Sequence, residues 1–335
     1  MDKKIIISYI IPAYNAEKTI EKAISSILVS DRVEVIVVEN GSTDNTYNKV
    51  HQLQEKNPSI KLLQSDKGVS CARNKGMEHA EGNWIAFVDA DDYLFDNGVR
   101  TMLLDAEVAN NDLVVYGHKA GNRVNKVTKR DVLYHKKTHN DCRVKMISNP
   151  TKYMQVWGKL FKKKVIVENA IKFDPELRLS EDSDFTLQYM KYVNNIKLSS
   201  EVIYNYSLDV TSTMRVNDGG KTRDYMYAMN KSAIHVDDES EDIKKAFDKY
   251  VLMHINILMV REIFIGNEKF VDKIETMKRI CKENIFLNPI KRVRINECKS
   301  FRMMPFVFMK MKQNWLAGMI YMIRVKHNNK MEVNR

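Results

Sequence analysis

Over the first 120 residues, unbroken apolar runs alternate with stretches in which apolar positions return every three or four residues. The run KIIISYII, residues 4–11, ends at Pro12 and suits a buried parallel strand. After it, Ile20, Ala23, Ile24, Ile27 and Leu28 recur at helical spacing. VEVIVV at 33–38 predicts a second strand, and the GSTDNT turn behind it offers Ser42 or Asp44 as a helix cap. IKLLQ at 60–64 reads as a third strand, 69–80 as a helix, 84–88 as a buried strand and 112–117 as another. This alternation predicts an α/β domain with a mostly parallel, doubly wound sheet. In such sheets ligands sit beyond the carboxyl ends of the strands. Pro12, Glu39 and Asp89 fall at three such ends and are expected to meet in one cleft.

The pattern then changes. Residues 118–150 are polar, basic and poorly periodic, which predicts a loose excursion over the cleft. Residues 151–215 mix short helices and strands around WGKLF (157–161) and LSEDSDF (179–185), and beyond 221 the period is helical. The expected division is a first domain over 1–215 and a helical region over 216–335.

A chain of 335 residues with 44% hydrophobic and 29% charged positions can bury a substantial core, which excludes a disordered chain. Cys71, Cys142, Cys281 and Cys298 are far apart with no C-x-x-C pair, so free thiols are expected rather than a zinc site or a disulfide framework. The first residues have the basic-then-apolar order of a leader. Tyr9 and Pro12 interrupt the run and no small-residue cleavage site follows, so a strand is expected there. No run approaches the roughly 20 apolar residues that cross a bilayer. Of the net charge of +11, residues 291–335 supply +9, from eleven Lys and Arg against Glu297 and Glu332. That concentration in a tail argues against a nucleic-acid-binding main domain.

The stretch WIAFVDADDYL, residues 84–94, brings Asp89, Asp91 and Asp92 together at a strand end. Three like charges so close repel unless a cation sits among them. A lone D-x-D string also fits a solvated acidic loop or a helix cap. Here it has company. IIPAYNAEKTI (10–20), VEVIVVENGSTDNT (33–46), KGVSCARNKGMEHAEGNWIAFVDADD (67–92) and LSEDSDF (179–185) occur in order. Together they resemble the inverting glycosyltransferases of family 2, with the Rossmann-like GT-A nucleotide-sugar fold, over about the first 215 residues.

The resemblance implies a donor that leaves as a nucleoside diphosphate, so the site must neutralise charge developing on phosphate oxygens. Mn²⁺ or Mg²⁺, which take hard oxygen ligands, would do this as Lewis acids. By the same resemblance Asp91 is the metal ligand, Asp89 and Ala90 lie against the nucleotide, and Asp92 supports the site or approaches the acceptor. Pro12, Ala13, Tyr14 and Glu39 are implied to form the nucleoside pocket, with Arg73 nearby or else in a structural salt bridge. Ser70 and Gly76 are expected to serve the turn and helix packing. The family's usual pair of aspartates is here Glu39 and Asn40, a longer arm and a lost charge, and uridine remains the favoured base. Asp182 matches the catalytic base, with Glu181 beside it in support. One base opposite one leaving group implies a single displacement with inversion. Lys159 matches a weaker family position, and Trp157 either stacks on a sugar or fills the core. The Q-x-x-R-W motif of processive members is absent, which implies one sugar per encounter.

Residues 306–330 are expected to form one helix, with Phe308, Met311, Trp315, Met319 and Met322 on one face and Lys310, Lys312, Arg324 and Lys326 flanking it. Such a helix can lie in a membrane interface, dock on the core or meet a second copy. The expectation is a cytoplasmic enzyme, peripheral on the inner face of the cell membrane, building bacterial surface polysaccharide. Its partners would be a nucleotide-sugar donor, a saccharide or lipid-linked saccharide acceptor and an anionic membrane surface, with a homo-oligomer also open and no nucleic acid. Two readings compete. A D-x-D phosphohydrolase needs a hydroxyl such as Thr two places after the second Asp, where Tyr93 stands. The other is a non-catalytic nucleotide-sugar-binding protein.

Overall fold

The computed structural model describes residues 4–208, 221–298 and 300–333. The expected boundary between 215 and 216 lies outside them. In chain order, β1 (Ile7–Ala13), α1 (Ile20–Ser25), β2 (Val33–Glu39), α2 (Thr46–Lys56), β3 (Ile60–Gln64), α3 (Val69–His79) and β4 (Trp84–Phe87) form successive strand–helix units. β1 lies between β2 and β4, and β3 lies beyond β2, all parallel. Every residue of β1 and β2 is buried, as continuous apolar strands covered on both faces must be. Helix α3 comes so close to β1 that a Cβ on Gly76 would run into the Ile10 side chain, which fixes glycine there.

The remainder of this unit comprises β5 (Tyr93–Leu94), α4 (Gly98–Ala106), β6 (Leu113–Ala120), β7 (Arg123–Asn125), β8 (Val132–Tyr134), α5 (His139–Ile147) and α6 (Pro150–Tyr153). It continues with β9 (Lys159–Lys162), α7 (Lys163–Glu168), α8 (Glu181–Met190) and β10 (Ile196–Tyr206). The sheet runs β3-β2-β1-β4-β9-β6-β10-β5. It is mostly parallel, with β9 inserted antiparallel between β4 and β6. Residues 118–134 are not the loose excursion the polarity predicts. β6 and β7 form a hairpin turned at Gly121, where φ is 56°, and β8 pairs with β10. β7 and β8 are three residues long and have no buried residue, so they carry no apolar run to read.

Residues up to Arg143 and from Thr151 through β10 form one compact unit. Val144–Pro150 group instead with the helices that follow: α9 (Lys221–Ala233), α10 (Glu241–Leu258), α11 (Phe270–Ile280), α12 (Asn284–Arg292), α13 (Met304–Lys310) and α14 (Asn314–Val333). The tail is two helices rather than one. Gln313 N–H donates to Phe308 O and Lys312 N–H to Met309 O, with Lys312 left-handed at φ 61°. Those two bonds make a Schellman stop, and lysine in the position usually held by glycine hides it from a sequence reading. No described helix is long and apolar enough to cross a membrane.

Candidate active site

The register sets the floor of the site. Ala13 pairs with Glu39 across β1 and β2, and Ile10 with Phe87 across β1 and β4, so Pro12, Glu39 and Asp89 end level. The loops beyond β1 and β2 are laced by polar side chains. Asn15 N–H donates to Ser42 Oγ, Thr43 N–H to Asn15 Oδ1, Ala16 N–H to Thr46 Oγ1 and Glu17 N–H to Asp44 Oδ2. Just ahead of α2, Asp44 Oδ1 also accepts from Thr46 N–H, but the N-cap is Asn45 and not the Ser42 or Asp44 that the GSTDNT turn offers. Pro12 and Ala13 are buried in this floor and Tyr14 stands exposed at its edge, with Lys67 Nζ 5.3 Å from its ring centre.

Glu39 does more for the protein than its expected role. Its Oε1 accepts from the N–H groups of Gly41 and Ser42, and its Oε2 from Gln64 Nε2, so it holds the loop in shape. Its carboxyl titrates below its ordinary value because these hydrogen bonds to the anion outweigh its burial. Asn40, in contrast, is buried with Oδ1 lacking any hydrogen-bond partner among the described residues. A buried acceptor left unmade costs stability.

The three aspartates separate sharply by partner. Asp92 is buried; its Oδ2 accepts from the Tyr204 hydroxyl at 2.7 Å and its Oδ1 from Ser207 N–H at 2.7 Å. Asp89 Oδ1 lies 3.2 Å from Arg73 Nη2, and its N–H donates to the Tyr204 hydroxyl. Ala90 is buried between them in the chain. Burial pushes both carboxyls above their usual range; the Asp182 and Asp91 charges add to it at Asp89 against the pull of Arg73, and the Asp89 and Asp91 charges add to it at Asp92. Among the described residues no other side chain hydrogen-bonds or ion-pairs to the Asp91 carboxylate. It is the one aspartate of the three whose oxygens are free for an external cation. No three His, Cys, Asp or Glu side chains are grouped as a metal cage among the described residues. A single free carboxylate suits Mg²⁺ or Mn²⁺, which take one or two protein carboxylates and complete their shells with phosphate and water. The donor set therefore fits the metal the resemblance implies.

Arg73 is the hub of the opposite wall. It is buried, and its guanidinium reaches Asp182 Oδ1 at 2.6 Å, Glu181 Oε1 at 3.3 Å and Asp89 Oδ1 at 3.2 Å. The salt bridge that the sequence left open for this residue is present, to three carboxylates. Asp182 Oδ2 accepts from Val156 N–H, so both its oxygens are held in place. Glu181 opens α8 behind Ser180, whose φ of 64° is left-handed without the freedom of glycine. Strain of this kind, on the order of 1–3 kcal/mol, persists where surrounding bonds over-determine the turn. Burial, and then the Asp182 charge, push the Glu181 carboxyl upward against the pull of Arg73.

Tyr204, which begins YNYSLDVTSTM, a stretch similar to weaker family positions but given no role of its own, donates to one aspartate and accepts from the backbone of another. Its signal was faint, an aromatic in a mixed-pattern strand. Trp157 is half-buried and stacks on Tyr204 at 4.6 Å and on Tyr206 at 5.6 Å between ring centres. Lys159 is wholly buried, its Nζ donating to Gln155 O. Burial brings its ammonium down to about 7, with the Asp182 charge pulling the other way.

A family model described as glycosyl transferase family 2 matches residues 8–166, which contain the floor, the aspartates and Arg73. The chain is 23% identical over 326 residues to EpsH of Bacillus subtilis (strain 168), named as a glycosyltransferase, spanning 90% of this chain and 94% of that protein. It is 36% identical over 139 residues to WfgD of Escherichia coli, covering 40% of this chain and 54% of that protein. WfgD is named as a UDP-Glc:alpha-D-GlcNAc-diphosphoundecaprenol beta-1,3-glucosyltransferase. The fold matches Staphylococcus aureus TarS 1–349 solved with UDP-GlcNAc, with a TM-score of 0.69 at 20% identity, over 95% of this chain and 90% of that one. These matches set aside the phosphohydrolase and non-catalytic readings. The ordered motifs, the GT-A sheet that carries them and the family match make residues 8–166 a glycosyl transferase family 2 domain and the protein a glycosyltransferase.

Proposed function

We propose that the enzyme is a metal-dependent inverting transferase that moves one sugar from a UDP-sugar to a hydroxyl of a saccharide acceptor. The observation that carries this reading is the division of labour among the carboxylates, with Asp91 free and Asp182 pinned by both oxygens. Tyr14 is the group we assign to the base, through a stacking face, and Glu39 acts one step back, by shaping the loop after β2. A divalent ion on Asp91 would neutralise the departing diphosphate. Asp182 takes the proton of the acceptor hydroxyl while that oxygen bonds to the anomeric carbon and the bond to the diphosphate breaks on the opposite face. Arg73 and Val156 N–H keep this base aimed, and each of its oxygens retains a lone pair for the proton. The α-linked donor then gives a β-linked product.

The acceptor we favour is lipid-linked, in surface polysaccharide assembly at the inner face of the cell membrane. WfgD, whose name specifies a diphosphoundecaprenol acceptor, supports it. In this reading residues 1–215 are the catalytic domain and 216–335 a helical region that approaches the membrane. Calorimetric titration of UDP with and without Mn²⁺ tests the metal assignment. Mn²⁺ should tighten UDP binding to the wild type and do nothing for Asp91→Ala. A variant that keeps the full Mn²⁺ effect removes Asp91 from the metal site.

A further inference from the structure

The helical unit carries a feature that sugar transfer does not use. A cavity of about 420 Å³ opens between the end of α11, α12 and the α13–α14 turn. Its apolar lining includes Met277, Leu287, Ile290 and Met309, while every charged residue around it is a lysine: 278, 282, 291, 310 and 312. Lys278 is paired with Glu275, and Lys310 Nζ is spent on the carbonyls of Lys291 and Val293. The side chains of Lys282, Lys291 and Lys312 make no hydrogen bond or ion pair among the described residues. Three unanswered ammonium groups over an apolar cavity are complementary to a phosphate with hydrocarbon attached.

A second observation comes from α14, which starts at the cavity's edge with Asn314. One face of this helix, Ala317, Ile320, Tyr321 and Val325, is buried. The other is also apolar but bare: Trp315, Met319 and Ile323 follow at four-residue spacing and are 59%, 49% and 53% exposed. Leu316 and Met311 extend this surface back to the turn that carries Lys312. An apolar row of this size on a soluble face marks an interaction surface. A tryptophan at one end beside free cations is the arrangement of an interfacial helix.

We propose that the lysine-rimmed cavity and the Trp315–Met319–Ile323 row form one docking surface for an anionic phospholipid bilayer. Headgroup phosphates sit at Lys282, Lys291 and Lys312, and the row enters the acyl boundary. The proposal deepens the membrane-side reading above, but its test needs neither donor nor acceptor, so the two can fail separately. Full-length protein is sedimented with vesicles of phosphatidylcholine alone or of equimolar phosphatidylcholine and phosphatidylglycerol. The wild type should pellet with the anionic vesicles only, and salt should release it. Replacing Lys282, Lys291 and Lys312 together by Gln should weaken binding by about 10²-fold, from the charge lost near the surface. Trp315→Glu should weaken it even at low salt. Retained UDP binding confirms that the variants fold. Equal pelleting of wild type and the lysine variant, or no pelleting with either vesicle, overturns the proposal. So does an oligomer in vesicle-free buffer that Trp315→Glu dissociates, since the row would then be a contact between copies.

Discussion

The sheet unit and the helical unit treat charge in opposite ways. In the first, a buried guanidinium is surrounded by three carboxylates, and every member of the group has a partner inside the protein. In the second, three lysines around a cavity have none among the described residues, and an apolar helix face beside them is exposed. Removing charge from water is expensive, so a buried ion cluster lasts only where its members answer one another. Exposed charge costs little to leave alone and is free to recognise something outside. The contrast separates a site built to hold its own groups still from a surface built to meet another.

The strongest attempt to break this comparison removes the pinned base. Asp182→Asn keeps the shape and the Val156 hydrogen bond but loses the proton acceptor. Transfer should fall by about 10²–10⁴-fold, the contribution of a positioned base. Full transfer by this variant would mean the hub holds structure alone and the base lies elsewhere, with Glu181 the next group to test.

A second experiment compares ion pairs in the two units by denaturant unfolding. Arg73→Met takes the shared cation from three part-buried carboxylates and should cost about 3–5 kcal/mol. Arg292, whose guanidinium is bound to Asp248 at 2.7 and 2.5 Å, is 60% exposed on its side chain. Arg292→Gln should cost only about 0.2–1 kcal/mol. Similar losses from both would erase the distinction drawn here.

The smallest effect is a pH dependence. The folded state lowers the Lys159 ammonium from 10.5 to about 7. Below that point the lysine is charged in both folded and unfolded chains, and the fold bears the full cost of a buried cation. As pH rises from about 7 toward 10.5, the folded protein releases the proton while the unfolded chain keeps it, so this contribution to stability increases with pH. Its slope can reach about 1.4 kcal/mol per pH unit. Relative to wild type, Lys159→Met should therefore be most favourable near pH 6.5 and lose that advantage by pH 9 in thermal melts. A constant difference across that range would show that Lys159 keeps its proton.

Strands and strand ends were legible because apolar runs and turn residues are local signals. Pro12, Glu39 and Asp89 could be placed level from them, and the D-x-D string pointed to a cation. The destination of Arg73 was not legible, since its carboxylate partners on α8 lie 108 and 109 residues away. Nor was the antiparallel insertion of β9, because KLFK carries no mark of which strands will flank it. Among the aspartates, the sequence offers three equal candidates. Only the positions of Tyr204, Ser207 and Arg73 reveal that, among the described residues, Asp91 is left without a side-chain partner.

The distance in sequence between Arg73 and Asp182 also sets an order in time. Synthesis proceeds at roughly 5–20 residues per second, so the arginine leaves the ribosome about 5–20 s before its principal anion exists. Strands β1 to β4 can pair in that interval, but β9 has yet to appear on the open side of β4. Until β9 and α8 arrive, the guanidinium is cheapest in water, and the strand end it later seals stays wet. Assembly of the reaction centre is therefore the closing event in the maturation of the sheet, and nascent chains halted before residue 181 should contain ordered strands with no catalytic wall.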